Sequence, residues 1–222
     1  LKKMDKRKIV KIIQLVKNDV RRFKNPIVTQ IGELTKDPFA VLISCLLSLR
    51  TKDETTAVAS KKLFALATTP RQMLGLSIPQ IEKAIYPVGF YHTKARRIKE
   101  ICKVLLEKYK GKVPETIEEL VQLKGVGRKT AGIVMCYGHN KGVSIPTDSH
   151  VHQISNRLGW VQTKTPEKTE EALMKLIPKP YWRDLNNIFV TFGQHVCVPV
   201  SPFCSQCVIS KYCPKVGVVR SR

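Results

Sequence analysis

Apolar residues recur along this chain at helical rather than strand spacing. Between residues 5 and 22, Ile9, Ile12, Ile13 and Val16 share one face while Lys and Arg occupy the other, the pattern of an amphipathic helix. Phe39 to Leu49 is the longest apolar stretch. It carries two serines and is too short to cross a bilayer, so it reads as a buried core helix. Capping signals mark further starts: Ser77 followed by Gln80, Thr116 followed by Glu119, and Thr165 before Pro166. Pattern and caps together predict helices near 38–49, 53–66, 78–85, 92–109, 116–123, 128–138, 149–159, 166–176 and 182–195. Period-two alternation is absent, as are internal repeats and low-complexity tracts, so the expected fold class is all-α.

Charge changes the picture. In 222 residues there are 39 Lys+Arg against 17 Asp+Glu, a formal charge of +22. Such an excess concentrates polyanions at the surface and speeds encounter with them. Nucleic acid is the first candidate; an anionic membrane surface, or simply a well-solvated exterior, also fits charge alone. The first 25 residues hold ten basic and two acidic side chains, which a solvated helix face explains. No membrane span is read anywhere. The opening LKKMDKRKIV has no apolar segment, so no secretory signal is read there, and the seven cysteines point to metal or thiol chemistry rather than a disulfide framework.

Four of those cysteines, Cys197, Cys204, Cys207 and Cys213, fall within seventeen residues as C-x6-C-x2-C-x5-C. The short loops between them, with Pro199, Ser201 and Pro202, let four thiolates converge on one centre. Structural zinc or an iron–sulfur cluster would suit such a set. Zinc sites usually come as two close pairs, and only one pair is close here, which tilts the reading toward a cluster. Cys45, Cys102 and Cys136 lie in apolar helical patterns and read as core residues.

The segment LVQLKGVGRKTAGIVMCYG, residues 120–138, carries the sharpest pattern. One helix ends near Leu123, a tight turn Lys124-Gly125-Val126-Gly127 follows, and a second helix starts at once. Glycines permit turns and close approaches that a side chain blocks, and free N–H groups at such a turn and helix start can hold a phosphate. A helix C-cap followed by another helix explains the glycines equally well. The spacing is neither a Walker A motif nor a dinucleotide fingerprint. Lys129 falls in the first turn of the second helix. There the helix dipole, Arg128 and Lys124 disfavour another ammonium, which would free the amine to act as a nucleophile. A phosphate-contacting lysine fits the same position. Downstream, Asp148 in SIPTDSH precedes the helical VHQISNRLGW. It reads as an N-cap, and a cap is compatible with a rigidly held catalytic carboxylate.

These motifs resemble the endonuclease III family of helix-hairpin-helix glycosylases. LKGVGRKTA, TDSHVHQISNRL and the cysteine array stand in the order and spacing of that family, and the likeness extends through LLSLRTKDETT, YPVGFYHTKARRIK and FGQHVCVPVSPFCSQC. The resemblance implies a bifunctional DNA glycosylase/AP lyase that excises oxidised pyrimidines. Lys129 would be the nucleophile, forming a Schiff base that leads to β-elimination, and Asp148 the catalytic aspartate. It also implies a four-iron four-sulfur (4Fe-4S) cluster on Cys197, Cys204, Cys207 and Cys213. Arg50, where the family commonly has glutamine, would fill the space left by the extruded nucleotide, and Phe90 would wedge into the opposite strand. Lys124, Gly125, Val126, Gly127, Arg128, Thr130 and His150 complete the expected DNA contacts. The uncharged loop Val198 to Phe203 departs from relatives with basic residues there, leaving DNA contacts to backbone amides or neighbouring lysines.

The implied architecture is a helical-barrel lobe, residues 30–138, and a cluster lobe of residues 1–29 and 139–222, with Lys129 and Asp148 facing each other across a DNA-binding cleft. The expected partner is double-stranded DNA with a damaged base or abasic site, with no membrane partner. A monomer in the cytoplasm with the chromosome is expected, or in the nucleus of a nucleated organism. Two alternatives stand beside it: a monofunctional uracil/thymine mismatch glycosylase, which Lys129 argues against, and a non-catalytic, cluster-bearing DNA-binding protein.

Overall fold

Side-chain caps set most of the helix starts. In the computed structural model, which describes residues 5–222, Asp5 accepts from the Arg7 N–H to open α1 (Lys6–Val20), and Asp37 accepts from Phe39 N to open α3 (Pro38–Ser48). Helix α2 (Ile27–Thr35) lies between them, and α4 spans Asp53–Leu66. Thr69 opens α5 (Pro70–Gly75), and Ser77 with Gln80 forms a reciprocal capping box on α6 (Ile78–Ile85). Then come α7 (Tyr91–Tyr109), α8 (Ile117–Leu120, capped by Thr116) and α9 (Arg128–Ile133), which runs into a wider π-helical turn, Val134–Gly138. Asp148 opens α10 (Ser149–Arg157), Thr165 opens α11 (Pro166–Leu176), and α12 is Trp182–His195. Among the described residues there is no strand, and no helix is long and apolar enough to cross a membrane. The fold is all-α.

The chain divides into two compact units, residues 27–141 and residues 1–26 with 142–222. The first is built around α3. Every residue from Phe39 to Leu47 is buried, and α2, α4, α7, α9 and the π turn pack against this helix. Each large aliphatic side chain removed from water this way contributes about 1.5–3 kcal/mol. Cys45, Cys102 and Cys136 lie in this core, and burial pushes the Cys45 and Cys102 thiols up to about 12. In the second unit Ile9, Ile12, Ile13, Val16 and Val20 of α1 join a core with Ile154, Leu173, Phe189 and Phe192.

The capped, periodic helices lie within a residue or two of their expected bounds. Two helices had no sequence signal strong enough to be expected. α2 contains Gly32, a weak helix former, because a Cβ there would meet Tyr137 Cβ at 2.8 Å. α5 is too short for periodicity to register. The helix expected over 116–123 is shorter, Ile117–Leu120, because turns at Val121 and Gln122 begin the glycine loop. That over 128–138 changes pitch at Val134.

Candidate active site

The glycine loop is shaped by two buried apolar residues and one strained glycine. Leu123 and Val126 are buried, and the Val126 N–H donates to the Leu123 carbonyl at 2.9 Å. Gly125 has φ +86, a left-handed conformation that a Cβ disfavours. Arg97 of α7 lies beneath it, with its Cδ 3.2 Å from where a Cβ would be. Gly127 differs: a Cβ there would meet nothing within 4 Å. No contact among the described residues requires a glycine at this position.

Helix α9 begins at Gly127 without a side-chain cap, and its first turn contains Arg128 and Lys129 with no acidic residue. Lys124, Arg128 and Lys129 are exposed, while Thr130 and Ala131 are buried and fix the helix to the core. Lys124 lies 3.8 Å from Glu100, which also pairs with Arg97 at 3.2 Å. Lys129 is close enough to Cys45 and Asp53 to act on both electrostatically. Burial raises the Asp53 carboxyl above its ordinary value, and the Ile27 N–H bond and the Lys129 charge pull it partly back. The π turn that follows is a form frequent at functional sites.

Lys129 belongs to the 27–141 unit; Asp148 belongs to the other. The approach to Asp148 is rigid. Ser144, Ile145, Pro146 and Thr147 are buried, and the Asn186 amide donates to the Pro146 carbonyl at 2.7 Å. The Asp148 carboxylate then accepts the Val151 N–H at 2.9 Å as the α10 cap, leaving the residue half-buried. His150 packs on α12, its ring filling the space that a Cβ on Gly193 would need.

Arg50 and Phe90 occupy two exposed turns of the 27–141 unit. Both have left-handed backbones, φ 52 and φ 59, and the Arg50 guanidinium lies 5.7 Å from the Phe90 ring centroid. Leu46, Leu49, Thr93, Lys94, Arg97 and Gly125 complete an apolar hollow with them. The structure thereby groups Arg50, Phe90 and the glycine loop on one unit, an adjacency that sequence distance conceals.

Cys197, Cys204, Cys207 and Cys213 line one pocket with Ile154, Leu158, Phe192 and Val196. Among the described residues no three His, Cys, Asp or Glu side chains are close enough to hold a single metal ion. Burial raises Cys197, Cys213 and Cys207, the last to about 11, and the neighbouring thiols push each further up. Such thiols need a cationic centre to ionise. Four thiols around one pocket are a donor set that an all-thiolate centre would take.

Arg157, which no motif singled out, ties this loop down. It donates to the carbonyls of Cys197 (3.2 Å), Val198 (2.9 Å) and Pro199 (2.7 Å) and to Cys197 Sγ (3.4 Å). The uncharged loop also has Arg222 against it. Its Nε donates to the Ser201 carbonyl at 3.0 Å, and its guanidinium stacks 3.9 Å from the Phe203 centroid.

With this geometry in view, residues 43–179 match the family of HhH-GPD superfamily base excision DNA repair proteins. Endonuclease III of Thermotoga maritima is 46% identical over 202 residues, 91% of this chain and 92% of that protein. The chain belongs to the endonuclease III family. Among solved structures of endonuclease III, a non-covalent DNA complex aligns with a TM-score of 0.83 at 30% identity, covering 96% of each chain. A trapped endonuclease III–DNA covalent intermediate aligns at 0.75 and 34% identity, covering 81% of this chain and 84% of that one.

Proposed function

We infer that this endonuclease III family member is a bifunctional DNA glycosylase/AP lyase of base excision repair. One observation carries the reading: an exposed lysine, Lys129, stands in the uncapped first turn of the helix that follows the glycine loop. The family's base excision repair assignment and the covalent DNA intermediate of a relative support it.

Duplex DNA with a damaged base or abasic site is the substrate, and oxidised pyrimidines are the preferred lesions. A base inside the duplex must be swung out before chemistry can reach its sugar, and Arg50 and Phe90 take the space it leaves. The loop Lys124-Gly125-Val126-Gly127 with Arg128 and Thr130 holds a backbone phosphate. The open space over Gly127 lets the phosphate approach main-chain N–H groups. His150 flanks the DNA from the first turn of α10.

The Lys129 amine attacks C1′ of the deoxyribose, and the glycosidic electron pair leaves with the base. The carboxylate of Asp148 takes up the proton that the amine sheds, directly or through water, and offsets positive charge on the sugar. Ring opening gives an imine between Lys129 and C1′. Loss of a C2′ proton then expels the 3′ phosphate by β-elimination, and water frees the lysine. The four cysteines would hold the 4Fe-4S cluster, with Arg157 fixing the loop around it. When bound, the cluster serves as a structural pin, since neither bond-breaking step changes oxidation state.

Borohydride trapping on a duplex with one thymine glycol tests this. Wild type should give a covalent adduct and Lys129→Ala none. Base release from wild type without an adduct, there or on an abasic duplex, would make the protein a monofunctional glycosylase.

A further inference from the structure

A buried lysine stands beside the turns that carry Arg50 and Phe90. Lys94 lies in the first turn of α7, where an ammonium opposes the helix dipole, and it is only 8% exposed. Its buried neighbours along the helix, Ala95, Ile98 and Ile101, are apolar. An apolar residue would satisfy that face, so folding α7 does not explain the charge.

The contacts do. Lys94 Nζ donates to the carbonyls of Leu47 at 2.8 Å and Leu49 at 2.6 Å and to Thr51 Oγ1 at 3.3 Å, using all three ammonium donors. These acceptors bracket Arg50. Thr51 Oγ1 also accepts the Gly89 N–H at 3.2 Å, one residue before Phe90. The turns are so close that a Cβ on Gly89 would come 2.7 Å from the Arg50 carbonyl oxygen. A left-handed non-glycine residue costs about 1–3 kcal/mol and persists only where its surroundings over-determine it. Arg50 and Phe90 both adopt that conformation, and Lys94 with Thr51 supplies the constraint.

We propose that Lys94 is a positioning residue that locks the Arg50 and Phe90 turns into one rigid two-pronged probe, preset to occupy the duplex as the damaged nucleotide leaves it. This rests on the reading of the protein as a glycosylase with Arg50 and Phe90 as its intercalating side chains. Lys94 touches no DNA in this scheme; it spares the prongs the ordering cost of entering the helix. The same helix supplies a control. Lys99, also on α7, donates to the carbonyls of Leu74 at 2.6 Å and Leu76 at 2.5 Å at the end of α5, repeating the helix-end contact away from Arg50 and Phe90.

The test compares wild type, Lys94→Met and Lys99→Met on two substrates. One is base release from a thymine glycol duplex under single-turnover conditions. The other is cleavage of a single-stranded abasic oligonucleotide, which needs no extrusion. Lys94→Met should slow the duplex reaction by about 30- to 100-fold, the scale of a misplacement of about an ångström, and leave the single-strand reaction within about twofold. Lys99→Met should lower Tm while both reactions stay within about threefold. Equal losses on the two substrates, or duplex losses matched by Lys99→Met, would overturn the proposal and leave Lys94 a helix-end cap. Wild type inactive on both substrates would overturn the glycosylase reading, and this proposal with it. Should Lys94→Met fail to fold, Thr51→Val removes the bridging hydroxyl at similar volume. A duplex-only loss of about tenfold is then expected, and no duplex-specific loss would again overturn the proposal.

Discussion

Helices α9 and α10 carry the proposed nucleophile and the proposed carboxylate, and they begin in opposite ways. α9 starts at Gly127 with no side-chain cap and two cations in its first turn, against the preference of a helix N-terminus for anions. α10 starts with Asp148 accepting the Val151 N–H, as that preference asks. α9 therefore depends on tertiary packing through Thr130 and Ala131, whereas α10 is stabilised locally by the group that is to do chemistry. A catalytic residue can thus show itself by breaking a local rule, as Lys129 does, or hide by obeying one.

The largest effect should come from the rule-breaker. Lys129→Ala should reduce strand cleavage by at least about a thousandfold, as loss of a nucleophile does. Stability should hold or rise by a few tenths of a kcal/mol, because a cation leaves the positive end of a helix. Single-turnover gel assays and thermal unfolding check both. Retained cleavage would reduce Lys129 to a phosphate contact and remove one side of the comparison.

Asp148 separates cap from catalyst by the choice of replacement. Asparagine caps a helix as well as aspartate, whereas alanine loses about 1 kcal/mol. Asp148→Asn should keep the melting temperature near wild type, and Asp148→Ala should lower it. Both should slow base release by about 10²–10⁴-fold, the range of general acid–base assistance. If activity instead follows Tm, with Asn near wild type, Asp148 is a cap and nothing more.

The two loop glycines sharpen the comparison at α9. Gly125→Ala should destabilise the fold by about 1–2 kcal/mol, because its φ of +86 is left-handed. Gly127 has φ −89 and open space around it, so alanine there meets no clash; its unfolded-state gain of about 0.4–1 kcal/mol is offset by glycine's advantage as an N-cap, and stability should stay within about 0.5 kcal/mol. Duplex affinity of Gly127→Ala should nonetheless fall by about tenfold if a phosphate sits over that position. Urea unfolding and fluorescence anisotropy give the two readings. Unchanged affinity would mean that the α9 start is open for no reason connected with DNA.

The same contrast explains what was legible in the sequence. Helices with caps and regular apolar spacing, such as Ser77 with Gln80 on α6 and the Phe39–Leu47 core run, could be read because their causes are local. α2 could not, since Gly32 weakens its pattern for the sake of Tyr137, distant in sequence. Lys129, Asp148 and the four cysteines stood out by motif. Lys94 and Arg157 did not: in KARRIK and SNRLGW they resemble solvated helix cations, and only the fold brings Leu49 or Cys197 to them. Side chains whose partners lie tens of residues away leave no periodic trace.

Lys94 extends the comparison to a third helix start, where a cation in the first turn is buried. Burial lowers it from 10.5 to about 8. Below pH 8 the amine is charged in both folded and unfolded chains, and the folded state bears the full desolvation penalty. Between pH 8 and 10.5 the folded chain releases this proton while the unfolded chain keeps it. The unfolded state then binds more protons, so this group makes stability rise with pH. The same deprotonation leaves two N–H donors for the three acceptors around Arg50, so fold stability and turn rigidity move in opposite directions. Urea unfolding of wild type and Lys94→Met from pH 7 to 10 isolates the lysine, because the other titrating groups are common to both. The free-energy difference should shift toward wild type as pH rises, while wild-type base release on duplex falls relative to cleavage of single-stranded abasic DNA. A difference that stays flat with pH would mean that the first turn of α7 tolerates its buried cation without penalty, and the parallel with α9 would end there.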